Sequence, residues 1–226
     1  GGLVVLSTVG NAREAKLAAD AGADIIVAQG WEAGGHVWGQ VATMALVPAV
    51  VDAVSVPVVA AGGIADGRGM AAALMLGASG VWVGTRFLAS NEANIHPDYR
   101  QLIQEASEDH TGWYQELYDG FWPDAPHRSL ENSTSERWRA AESPRSGSRP
   151  DEDAVVGHKP DGEAVMRYQS YTPQTGTTGD IAAMSLWCGQ GVAQVQETMA
   201  AAEIVEEIYR DARRILQAGS DVLDEA

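Results

Sequence analysis

The chain has 226 residues, 45% of them hydrophobic, and a formal net charge of −16 from 31 acidic against 15 basic side chains. That length buries a real core in one or two domains, while the acidic excess excludes the basic surface that a nucleic-acid partner needs. One cysteine, Cys188, rules out an internal disulfide, no Cys/His cluster has metal spacing, and no apolar run is long enough for a bilayer; with no signal-peptide pattern at the start, a cytoplasmic protein with no membrane partner is expected.

From the start to about residue 90 one unit recurs: a short apolar strand, a polar or glycine turn, then an Ala/Leu-rich helix. Residues 3–7 read as a strand, Asn11 as the N-cap of a helix over 12–21, and Gly22 as its closing residue. A second strand, 24–28, runs into Ala28-Gln29-Gly30-Trp31-Glu32-Ala33-Gly34-Gly35-His36. Residues 46–54 read as a helix with Pro48 tolerated in its first turn. A third strand, 56–61, ends in Gly62-Gly63-Ile64, and a helix over 66–76 follows. The fourth strand, 79–83, ends in Gly84-Thr85-Arg86-Phe87.

These strands are continuously apolar, as expected where both faces are covered. Their alternation with helices predicts a parallel sheet with right-handed crossovers. Four βα units do not close an eight-unit barrel. The expected fold class is therefore α/β. Residues 1–92 form the C-terminal half of a TIM (β/α)8 barrel, or a small open sheet, followed by a mainly helical appended region over 93–226.

Within that region, 99–108 reads as a helix that 113–118 extends or follows. A proline-rich aromatic segment spans 120–128, and 132–142 reads as a second helix. A polar loop over 143–153 and a hairpin over 155–168, turning at Pro160-Asp161-Gly162, form an insert around 143–175. A turn at 176–180 leads into a small-residue stretch around Cys188-Gly189-Gln190-Gly191. Residues 201–218 form an amphipathic helix with Ile204, Val205, Ile208, Ala212 and Ile215 on one core-packing stripe.

Ligand-handling residues of such a sheet sit at the C-terminal strand ends. Gly62-Gly63 and Gly84-Thr85, at two adjacent strand ends, suit a phosphate held on backbone N–H groups and the Thr85 hydroxyl. A single pair would be only a tight turn. His36 lies one strand away, placed to act as a general base on a substrate over a cofactor. Glu32 either orients it, binds a ligand amide or caps the next helix. Gln29 can both donate and accept, which suits the edge of a heteroaromatic ring. Asp66 reads as an N-cap rather than a catalytic group. His96, His110, His127 and His158 read as surface residues, Cys188 as buried and inert. Trp113, Trp122 and Trp138 read as packing the appended region onto the sheet.

Taken in order, 28–36, Ala60-Ala61-Gly62-Gly63-Ile64-Ala65-Asp66-Gly67-Arg68-Gly69 and Val83-Gly84-Thr85-Arg86-Phe87 resemble the nitronate monooxygenase family, which includes FMN-dependent enoyl-reductase relatives. The match runs from about residue 3 to 92, and 180–210 resembles the family's C-terminal helical part more loosely. The resemblance implies a TIM-barrel flavoprotein holding FMN without a covalent bond. It would convert a small-molecule nitronate or nitroalkane, with O2, to a carbonyl compound and nitrite. It also implies His36 as the catalytic base, FMN contacts at Gln29, Gly34, Gly63, Trp82, Val83, Gly84 and Thr85, and no metal.

An NAD(P)H oxidoreductase of the enoyl-reductase kind, and a non-catalytic half-barrel subunit, are the alternatives. Two departures stand out. Trp38 follows His36 where members often carry a small residue, and the segment before Leu46 is short. The family's first four βα units are also absent. A half barrel exposes apolar strand edges, so a missing N-terminal half or a partner chain is expected.

Overall fold

A computed structural model describes residues 2–120 and 122–224, with side chains placed as far as Gly219. Phe121, in the proline-rich segment, lies outside the described residues. The first half alternates as its sequence predicts: β1 (Leu6–Val9), α1 (Ala12–Asp20), β2 (Ile25–Gln29), β3 (Gly35–His36), α2 (Thr43–Val51), β4 (Val58–Ala61), α3 (Gly67–Met75), β5 (Gly80–Trp82) and α4 (Thr85–Leu88). Strands β1, β2, β4 and β5 form a parallel sheet in that order. Each new strand therefore lies beside the one before it, as in a barrel wall.

Register explains which residues meet. Val9, Ala28, Ala60 and Val81 form one row across the sheet, and Gln29, Ala61 and Trp82 form the next row at its C-terminal edge. Small side chains in the first row let Leu46, Val47 and Val50 of α2 pack close, and these are fully buried with Ile26. Local signals set the helix starts. Asn11 accepts from the Glu14 N–H, and Asp66 accepts from the Arg68 and Gly69 N–H groups, so Asp66 is an N-cap.

Three expectations are corrected here. Helix α2 begins at Thr43, so Pro48 sits in mid-helix rather than in the first turn. Its missing N–H leaves the Met44 carbonyl without a helix bond, on a face where Met44 is solvent-exposed. The strands are not all covered on both faces. β2 and β4 are, but β1 and β5 are the edges, and Leu3 (93% exposed), Leu6 and Trp82 face solvent. Val205 also leaves the stripe expected along the helix over 201–218 and is 56% exposed, while Ile204, Ile208 and Ala212 are buried.

Beyond residue 92 the chain is mixed rather than mainly helical. Helix α5 (Pro97–Glu105), capped by the His96 ring, is followed by β6 (Thr111–Tyr114) and β7 (His127–Leu130). A strand thus stands where a helix over 113–118 was expected, because β6 finds β7 as an antiparallel partner. Then come α6 (Ser133–Ala140), β8 (Val155–His158), β9 (Ala164–Met166), β10 (Thr178–Gly179) and α7 (Ala201–Asp224). Asn132 caps α6, and the hairpin turning at 160–162 is present as β8 and β9. Helix α7 returns to α3, where a Cβ on Gly67 would collide with the Ala212 backbone. Among the described residues no helix is long and apolar enough to cross a membrane, and no group of ligating side chains is placed to hold a metal.

Candidate functional site

The site is built where β2 ends. Gly30 continues the ladder by donating to the Ala61 carbonyl at 2.8 Å, and the chain then turns back. Gly35, with φ of 71°, makes the bend that an L side chain rarely tolerates. The turned chain forms β3, which pairs antiparallel with β7 so that Gly35 faces Arg128 and His36 faces His127. The loop is held at several points. Gln29 donates from Nε2 to the His36 carbonyl at 3.0 Å, Val37 N–H donates to Pro126, and Trp113 Nε1 donates to the Val37 carbonyl at 3.2 Å. The buried Arg128 guanidinium donates to the Trp31 carbonyl at 3.0 Å and to Thr111 Oγ1, and lies over the Trp31 ring.

Of the three roles open to Glu32, the structure shows helix capping. Ala42, at the N-cap of α2, has no side-chain oxygen, and the Glu32 carboxylate accepts from the Thr43 N–H at 2.9 Å instead. The Thr43 hydroxyl lies 3.0 Å from Glu32 Oε2 and 2.9 Å from the Gly62 carbonyl, so the same pair steadies the Gly62-Gly63 bend.

A cavity of about 300 Å³ opens at the C-terminal sheet edge, at the low end of volumes that take cofactor-sized ligands. Six expected residues line it: Gln29, Gly34, Gly63, Trp82, Gly84 and Thr85. Val83 does not; it packs into the core beneath the sheet. No charged side chain is among its lining residues. Arg86, which follows Thr85, is buried and donates to the Glu197 carbonyl and Met199 Sδ instead. An anion here would therefore rest on backbone N–H groups and the Thr85 hydroxyl.

The glycines divide into two kinds. A Cβ on Gly84 would meet nothing within 4 Å, so its backbone is open to a ligand. A Cβ on Gly34 would sit inside the backbone of Cys188 and Gly189. Gly34 thus makes room for the Cys188–Gly189 segment while its backbone lines the cavity.

That neighbouring segment is what the sequence reading missed. Trp187, Gly189 and Gly191 also line the cavity, and the Gly189 N–H donates to Thr85 Oγ1 at 2.9 Å. Two glycines in an apolar stretch behind a tryptophan were the available signal. Cys188 is buried, and burial pushes its thiol pKa up, which fits an inert residue.

His36 is not itself a lining residue. Its ring stacks against Trp122 at 4.9 Å and lies 6.1 Å from Trp187. Its Nε2 is buried and has no hydrogen-bond partner among the described residues. Burial holds its pKa below the ordinary value, so the imidazole is neutral at pH 7 and can accept a proton. His127, expected at the surface, is fully buried. Its Nδ1 faces the Ala125 carbonyl at 2.9 Å, its Nε2 accepts from the Tyr118 N–H, and burial lowers its pKa to about 4. His110 and His158 are exposed as expected. Trp113 and Trp122 do pack on the β2 loop, whereas Trp138 donates to Pro144 and packs on Tyr114 within the appended region.

Residues 1–211 match the family model described as nitronate monooxygenase. The chain is 34% identical over 223 residues to the nitronate monooxygenase of Neurospora crassa, covering 94% of this chain and 54% of that protein. Over 97 residues, 43% of this chain and 27% of the relative, it is 56% identical to (3aS,4S,5R,7aS)-5-hydroxy-7a-methyl-1-oxo-octahydro-1H-indene-4-carboxyl-CoA dehydrogenase of Rhodococcus jostii. FabK from Thermotoga maritima superposes with a TM-score of 0.73 at 29% identity, over 98% of this chain and 64% of that one. The chain spans about half the length of the curated relatives it matches along most of its own length.

Proposed function

This chain belongs to the nitronate monooxygenase family, and on that premise we propose that it oxidises alkyl nitronates with O2 to a carbonyl compound and nitrite, using FMN. The observation that supports this reading is a cavity lined by the open Gly84 backbone and the Thr85 hydroxyl, with Trp187 on its wall and the buried, unpartnered Nε2 of His36 behind that indole. Bound FMN would supply the electron acceptor that this chain's side chains lack. Gly63, Gly84 and Thr85 would hold its phosphate, with the Val83 backbone beside them. Gln29, Gly34 and Trp82 would border its ring.

His36 takes the α-proton of a neutral nitroalkane on Nε2; a nitronate has already lost it, so there the imidazole positions rather than deprotonates. Glu32 and Thr43 keep the Gly62-Gly63 bend in place. In this reading residues 1–92 are half of a (β/α)8 barrel, residues 93–226 are the appended region, and an N-terminal half or partner chain covers the exposed β1 edge.

The test is a visible spectrum of the full-length protein followed by nitrite release from ethyl nitronate in air. Bound flavin and nitrite are expected; a protein that binds no flavin after reconstitution with FMN sinks the reading. The identity to the Rhodococcus dehydrogenase favours a second one, an NAD(P)H oxidoreductase acting on a thioester. Anaerobic flavin reduction by NADH without nitronate turnover would select it.

A further inference from the structure

Trp187 is the lining side chain whose ring meets His36, with centroids 6.1 Å apart, so a ligand in the cavity reaches the imidazole past this indole. The indole is fixed from several sides. The Tyr99 hydroxyl, fully buried, donates to the Trp187 carbonyl at 2.5 Å. The main chain bridges to Ser129, and the next residue, Cys188, packs directly on Gly34. The ring stands edge-on to His127 at 5.2 Å and to Tyr118 at 5.8 Å, both at 83°. Both of those rings are buried and hydrogen-bonded, so neither yields to let the indole swing. Trp187 is therefore a wall and not a gate.

We propose that Trp187 is the specificity-determining residue of this site, a fixed wall that admits short-chain substrates to His36 and turns away longer ones. This rests on the proposed function, with FMN on the glycine side of the cavity and the nitronate seated between the flavin and His36. A nitronate presents two oxygens and one negative charge at the head of an alkyl tail. With the head near His36, the tail runs along the indole. In a pocket bounded by a rigid ring, one methylene too many costs about tenfold in affinity or more.

The test is calorimetric titration of the full-length, FMN-loaded protein with straight-chain carboxylates from acetate to octanoate, which share the planar anionic head and do not react. Wild type is expected to lose about tenfold in affinity at the length where the tail meets the ring. Trp187→Ala should move that break to longer chains. Trp187→Phe keeps a ring between His127 and Tyr118 and should move it less; if the alanine variant fails to fold, the phenylalanine variant decides. An unchanged length profile in the variants overturns the proposal, as does absence of carboxylate binding to wild type at any length. A profile that shifts as expected in a protein that releases no nitrite leaves Trp187 as the wall and removes the oxidation.

Discussion

The Gln29 carboxamide donates from Nε2 to the backbone carbonyl of His36, spanning 3.0 Å across the bend that separates them. The last residue of a parallel strand thereby fixes the chain at the residue offered as base. Replacing Gln29 by Ala removes that tie and a ring-edge partner at once, so kcat/KM for ethyl nitronate should fall about tenfold, one lost hydrogen bond in free energy. Steady-state kinetics of Gln29→Ala checks this.

His36 should divide the two substrates. Losing a general base costs about 10²- to 10⁴-fold. His36→Asn should therefore lose that factor with nitroethane and far less with ethyl nitronate. Because burial lowers its pKa, the neutral form persists below pH 6.5, and the acid limb of kcat/KM for nitroethane should fall below that value. An acid limb unchanged in the asparagine variant would remove His36 from the role of base.

His127 makes stability depend on pH. Its pKa falls from 6.5 in the unfolded chain to about 4 in the fold. As pH drops from 6.5 towards 4 the unfolded chain takes a proton that the folded ring refuses. Stability present above pH 6.5 is lost across that window, by about 3 kcal/mol in full. Urea unfolding midpoints at pH 7 and pH 4.5 should separate less in His127→Gln than in wild type.

The glycines give opposed expectations. Gly34→Ala drives a methyl into the Cys188–Gly189 backbone and should destabilise by about 1–3 kcal/mol. Gly84→Ala meets no protein atom and should leave stability within about 0.5 kcal/mol of wild type, while flavin retention falls. Thermal unfolding and the visible spectrum of each variant read both effects.

Glu32→Ala withdraws the borrowed cap of α2. The Thr43 N–H and hydroxyl lose an acceptor, and a cost of about 1–2 kcal/mol is expected by urea unfolding.

What the sequence displayed was local. Asn11, Asp66 and Asn132 announce helix starts because a cap acts within three residues. The glycines at 62, 63 and 84 mark strand ends for the same reason. Hidden parts depend on partners far along the chain. His127 sits in a proline-rich, polar-looking segment and is buried only because β7 lies between β3 and β6. Residues 113–118 are too short for periodicity to separate strand from helix. Trp187 and Gly189 carry no motif; they matter because the chain packs Cys188 and Gly189 on Gly34, which brings Trp187 and Gly189 to the cavity. Val205 shares the helical spacing of its stripe and still faces solvent, since α3 covers only part of α7.

The pairing of β3 with β7 has a consequence for how the protein is made. His36 emerges before the strand that holds its backbone, which lies near residue 127, and Trp187 comes later still. Domains fold as their segments emerge, and contacts between distant segments close last. The parallel strands can assemble on the ribosome while the histidine loop waits. Order around His36 is therefore acquired late, and a chain stalled between residues 90 and 127 would carry every glycine of the strand ends and an unanchored histidine loop.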